Sequence, residues 1–184
     1  MIDSEIDDLQ IANILSSVKT IALVGASNNW KRPSNFVMKY LQKKGYRVIP
    51  VNPRETGGKI NNELCYKSLG DIPLKIDMVD VFRKSEECLE LAKETIKINV
   101  KIFWMQIGIF NQEAYDLILK NNSQCIYNKC TKIEHSRIFG ELGSGGFYTK
   151  LISSKKSKFT KNENKSEIFF ETKNLETLSI HAGT

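Results

Sequence analysis

The run Ile21-Ala-Leu-Val-Gly-Ala-Ser27, followed by Asn28-Asn-Trp-Lys-Arg-Pro-Ser34, constrains this chain more than any other stretch. Four apolar residues, then Gly25 and Ala26, then a polar loop closed by Pro33 and Ser34 predict a buried strand feeding a helix. Small residues at such a junction let backbone N–H groups approach a ligand without interference from a Cβ. The helix N-terminus that follows favours negative charge. The expectation is a phosphate-bearing cofactor seated on this turn.

The rest of the chain repeats the alternation. Ile6, Leu9, Ile11, Ile14, Leu15 and Val18 lie mostly at helical spacing, and Ser4 or Asp3 is placed to cap that helix. Phe36, Val37, Tyr40 and Leu41 mark a helix from Ser34 that stops at Gly45. Tyr46 to Val51 is a second strand ended by Asn52 and Pro53, which completes a right-handed βαβ unit. Ile60 to Tyr66 holds one more turn or short strand. Further strands are expected over Ile76–Phe82, Val100–Met105 and Gln124–Tyr127, with a helix capped by Ser85 and another over Gln112–Lys120 between them. The fold class that follows is α/β, a Rossmann-like doubly wound parallel sheet of about five strands with helices on both faces. In such sheets ligands collect at the carboxyl ends of the strands, near the switch point. Gly25, Asn52, Arg83, Gln106 and Asn128 to Cys130 all fall there. Residues 1–18 are read as an N-terminal helix packing on the domain and 19–140 as the cofactor-binding domain. Residues 141–184, opening on Gly143-Ser-Gly-Gly146 and rich in Lys, Ser, Asn and Glu, are read as a flexible basic tail or linker.

Composition narrows the partners. No run approaches the ~18 apolar residues of a membrane span, and the acidic start lacks the order of a secretory signal. The four cysteines form no C-x-x-C pair, and Cys125, Cys130 and His135 match no zinc template. A cytoplasmic protein without a metal is the default. The net charge of +6 comes without a nucleic-acid reader motif, so an anionic small molecule accounts for it more simply.

A dinucleotide is the obvious ligand to test. Its fingerprint wants three glycines in the first turn and an acid ending the second strand. This turn has Gly25 alone, and the second strand ends in Asn52-Pro53-Arg54, an amide and a cation where NAD needs a carboxylate. A cation there suits a phosphate on the ribose, as in NADP or coenzyme A.

The set Val24-Gly-Ala-Ser27, Arg32-Pro-Ser34, Gly45 to Pro53, Asp80-Val-Phe-Arg83, Trp104-Met-Gln-Ile-Gly108 and Cys130-Thr-Lys-Ile-Glu134 resembles the small stand-alone CoA-binding proteins. These are similar to the CoA-binding domain of the succinyl-CoA synthetase alpha subunit. The likeness runs through residues 8–157 and departs at Thr131, where the family usually has proline. It implies CoA or acyl-CoA as ligand. Gly25, Ala26 and Ser27, with Ser34 at the helix start, would hold the pyrophosphate through backbone and hydroxyl donors, and Arg32 beside the turn would steer the anion. Asn52, Pro53 and Arg54 would flank the adenosine, Arg54 meeting the 3′-phosphate. Phe82 and Arg83 would line the adenine or phosphate side, and Gln106 would meet the pantetheine arm. Cys130, beside Lys129 and Lys132, would lie near the CoA sulfur, where a mixed disulfide is conceivable.

No nucleophile–base–orienter set is evident. A CoA-binding protein without chemistry of its own is therefore the first expectation. An acid–thiol ligase subunit and an NADP-binding oxidoreductase are the alternatives. Phe170 to Thr184 resembles the start of PLP-dependent O-acetylhomoserine sulfhydrylases, which leaves open the front of a fusion, a truncated chain, an association with such an enzyme, or a chance match.

Overall fold

A computed structural model describes residues 6–140. In chain order these form α1 (Asp8–Ser17), β1 (Thr20–Val24), α2 (Pro33–Lys43), β2 (Arg47–Val51), β3 (Lys59–Ile60), β4 (Glu63–Leu64), β5 (Met78–Val81), α3 (Cys88–Lys97), β6 (Ile102–Met105), α4 (Gln112–Lys120), β7 (Gln124–Ile126) and α5 (Thr131–Phe139). Apolar runs too short for helices and buried on both sides make β1, β5 and β6 the centre of a parallel sheet. The strand order is β2-β1-β5-β6-β7, so the direction of winding reverses between β1 and β5. The α/β expectation is met.

Alternate residues of each strand serve opposite faces. Ala22, Val24, Val79, Val81, Phe103 and Met105 join Cys88 and Ala92 of α3 and Ala114 and Ile118 of α4 in one core. On the other face the register aligns Leu23, Asp80, Trp104 and Ile126. There α5 packs against α1 and α2. Trp104 is fully buried and satisfies its indole N–H on the Lys129 carbonyl at 2.7 Å.

Several local expectations change. α1 starts at Asp8, capped by Asp7, whose carboxylate accepts from the Gln10 amide at 2.7 Å while the Gln10 side chain accepts from the Asp7 amide. Ser4 and Asp3 lie outside the described residues, as do residues 141–184 with the expected tail and its sulfhydrylase-like end. At the end of α2, Gly45 takes φ +94° while its amide bonds Gln42 O and the Tyr46 amide bonds Leu41 O, the pattern of a Schellman cap. Ser85 does not cap α3. It begins a 3₁₀ turn, and its Oγ accepts instead from the Phe110 amide at 3.1 Å. The segment expected to hold one more turn or strand is a hairpin of β3 and β4, and Tyr66 beyond it bridges to Val51 of β2.

α5 is the element the residue pattern concealed. Three of its inward residues, Thr131, Glu134 and His135, are polar, and each is held by a partner. Arg137 donates to both carboxylate oxygens of Asp8 at 2.7 Å and to Glu134 Oε2 at 2.6 Å, fastening α5 to α1. His135 Nδ1 meets the Tyr40 hydroxyl of α2 at 3.0 Å. Burial, helped by the charge of Lys44, lowers the His135 pKa.

Candidate functional site

The strand ends at the switch point open into a cleft of about 600 Å³ lined by residues from β1, α2, β2, β5, β6 and α5. Its first wall is the turn after β1. Gly25 holds φ +88°, and a Cβ there would lie 2.5 Å from the Phe82 carbonyl oxygen, so glycine is required by the chain beside it. The amides of Gly25 and Ala26 both point at Val51 O, at 2.9 and 3.4 Å. These two donors, expected to meet a phosphate, are spent on β2. The Ser27 amide has no partner among the described residues, and neither do the amide and hydroxyl of Ser34. Ser34 sits in the first turn of α2 behind Pro33, which fills the first helical position, where the missing N–H costs nothing. With exposed Arg32 ahead of them, these donors form the anion-seeking end of the cleft.

Asn52 braces this wall. Its Nδ2 donates to Ala26 O at 2.7 Å and its Oδ1 accepts from the Arg54 amide at 3.0 Å, which ties the β1 end to the β2 end. Asn35, buried in α2, donates to Ser27 O at 2.8 Å and fixes the loop from beneath.

The floor is a buried polar triad. Asp80, fully buried in β5, accepts from Gln106 Nε2 at 2.7 Å and from Thr131 Oγ1 at 3.0 Å, while Gln106 Nε2 also lies 2.9 Å from Thr131 Oγ1. Burial pushes the Asp80 carboxyl up to about 7, against the opposing pull of those two hydrogen bonds. Because the carboxylate needs donors, Gln106 turns its amide nitrogen inward. Its Oε1 has no partner among the described residues, and the side chain lines the cleft with that acceptor available. Thr131 supplies the hydroxyl of the triad.

Of the residues named from the sequence, the cleft gathers Gly25, Ala26, Ser27, Arg32, Ser34, Asn52, Phe82, Gln106 and Cys130. Four others lie off its lining. Arg83 turns to Glu87, its Nε and Nη2 both bonding Oε2 at 2.8 and 2.6 Å, and its stem packs over Gly25. Lys132 rests its ammonium 5.3 Å from the Phe36 ring centre and 5.7 Å from that of Tyr40. Pro53 and Arg54 are exposed on the loop after β2, where Arg54 has no carboxylate partner among the described residues. The cleft also recruits Pro33, Phe36, Val37, Ile107, Ile109 and Ile133, which the sequence reading did not assign. Among these, Ile107 and Ile109 come one and three residues after Gln106, and Ile133 stands in the first turn of α5. Their signal was an apolar residue where a strand end or helix start ordinarily turns polar.

A family model described as "CoA binding domain" matches residues 19–136. The chain belongs to the CoA-binding domain family. The uncharacterized protein YneT of Bacillus subtilis is 37% identical over 127 residues, 69% of this chain and 93% of its own length. The solved structure of a hypothetical protein from Pyrococcus horikoshii superposes with a TM-score of 0.71 at 39% identity, covering 74% of this chain and 94% of that one. An acetyl-coenzyme A synthetase of Ca. Korarchaeum cryptofilum shares the fold at a TM-score of 0.54 and 23% identity, over 60% of this chain and 26% of that enzyme. The matched span of this CoA-binding domain runs from the start of β1 into α5 and includes every residue lining the cleft.

Proposed function

We propose that the protein holds CoA or acyl-CoA in the cleft at the β1–β5 switch point and performs no chemistry on it. The unpaired donors of Ser27 and Ser34 beside Arg32 carry this reading, because they offer an anion both hydrogen bonds and a positive field where nothing else satisfies them. The pyrophosphate lies against Ser27, Arg32 and Ser34, the pantetheine arm runs past Phe82 to Gln106, and Arg54 meets the 3′-phosphate from outside the cleft. Among the described residues Arg32 is the single charged residue of the lining, and neither a carboxylate nor a histidine stands there to move a proton from a bound ligand. A cytoplasmic location belongs to the same reading, supported by four cysteines without disulfide spacing.

Titration calorimetry of the full chain with CoA, dephospho-CoA, NADP and NAD tests it. CoA is expected to bind tightest, and Arg54→Ala to weaken CoA by about 1–3 kcal/mol while leaving dephospho-CoA little changed. Equal loss for both ligands would move the 3′-phosphate elsewhere. Preferential binding of NADP would replace the reading with that of an oxidoreductase. ATP-dependent formation of an acyl-CoA by the isolated chain would replace it with that of a ligase.

A further inference from the structure

The charge and the hydroxyl groups of the cleft stand at one end, and beyond Gln106 its lining turns apolar. Arg32, Ser27, Ser34 and Asn52 stand at the β1 and β2 ends, whereas Ile107, Ile109, Cys130 and Ile133 come from the β6 end and the start of α5. Phe36 belongs with the second group, since Lys132 of α5 rests on its ring. Three of these apolar side chains are open to solvent: Ile107 is 58% exposed, Ile133 53% and Phe36 44%. A single exposed isoleucine needs no explanation, but three converging on the mouth of one cleft mark a surface that awaits an apolar partner. Among the described residues no carboxylate lines that end, and Lys132, next to Ile133 in the chain, is engaged on aromatic rings.

We propose that this end receives the acyl group of an acyl-CoA, and that the preferred group is an uncharged aliphatic chain longer than acetyl. The inference rests on the CoA reading given above. A ligand with phosphates at Ser34 and its arm passing Gln106 has its sulfur beyond Gln106, next to Cys130, and whatever the sulfur carries then lies among Ile107, Ile109, Ile133 and Phe36. Continuity with the polar end argues for a small-molecule tail over a protein partner, since the apolar side chains form the rim of one cleft that already supplies the anion donors. Acceptor geometry agrees. Gln106 Oε1, kept outward by Asp80, meets an N–H of the arm and leaves the remaining contacts beyond it apolar.

Calorimetry of the full chain with CoA, acetyl-CoA, hexanoyl-CoA and succinyl-CoA at one ionic strength separates the possibilities. Each buried methylene strengthens binding by up to roughly four-fold, so partial burial of four of them is expected to set hexanoyl-CoA at least roughly ten-fold tighter than acetyl-CoA. In an Ile107→Ser, Ile133→Ser double variant that ratio should fall toward 1. CoA binding with equal affinity for the acetyl and hexanoyl thioesters, or tightest binding of succinyl-CoA, would overturn this inference and leave the CoA reading standing. Absence of any heat with CoA itself would overturn both.

Discussion

Asp80 is a carboxyl group buried with only neutral hydrogen-bond partners, and replacing it with asparagine measures the cost of that placement. The side chain is fully buried, and its two hydrogen-bond partners are the neutral Gln106 and Thr131. Its folded pKa of about 7 stands against an ordinary 3.8. Between those values the folded protein holds a proton that the unfolded chain has lost, so stability must fall as pH rises through the window. At 1.36 kcal/mol per unit, the loss between pH 5 and pH 7 is about 2–3 kcal/mol. His135 acts in the opposite sense. Its lowered pKa keeps the folded imidazole neutral while the unfolded one takes up a proton, so its contribution weakens as pH falls below about 6.5. Wild-type stability alone would mix the two. In Asp80→Asn the His135 contribution remains and the carboxyl contribution disappears, so the difference between the proteins isolates Asp80. Urea unfolding at several pH values from 5 to 8 should show the variant gaining on the wild type by about 2–3 kcal/mol with rising pH. A difference that stays flat across that range would refute the claim that Asp80 titrates in a buried site. The same variant can let Gln106 rotate its amide, because asparagine donates as well as accepts, and CoA affinity should then fall at pH 8.

Gly25→Ala should destabilise by at least about 2 kcal/mol, since it combines a left-handed φ with a Cβ pressed on the Phe82 carbonyl; a thermal midpoint like that of wild type would refute the packing argument. Arg137→Ala should cost about 3 kcal/mol in urea unfolding by stranding the largely buried Glu134 and releasing α1 from α5, and a loss below about 1 kcal/mol would show the ion network to be incidental. Burial raises the thiols of Cys65, Cys88 (to about 11) and Cys125 (to about 12), whereas Cys130 lines the cleft. Iodoacetamide followed by peptide mass spectrometry should therefore modify Cys130 first, with saturating CoA slowing the reaction; first modification at another cysteine would contradict this order.

The sheet was legible because its strands bury both faces and therefore read as short apolar runs between polar turns. α5 was not, because Thr131, Glu134 and His135 face inward and are made acceptable there by Asp80, Arg137 and Tyr40, partners distant in sequence. The phosphate turn was recognisable from Gly25 to Ser34, yet its glycine answers to Phe82 and its first two amides to Val51. Only register across neighbouring strands reveals such debts. Arg83 shows the same limit, since a cation at a strand end reads as a ligand contact until Glu87, four residues on, is seen to claim it.

The two tryptophans stand at opposite extremes of exposure. Trp104 is sealed beneath α5 with its N–H bonded, while Trp30 is 69% exposed on the loop between Ser27 and Arg32, both of which line the cleft. Their emission should separate cleanly, a blue component shielded from acrylamide and a red one open to it. The chain thus carries two intrinsic optical probes, one sensing the intact sheet and the other reporting on the loop at the cleft mouth.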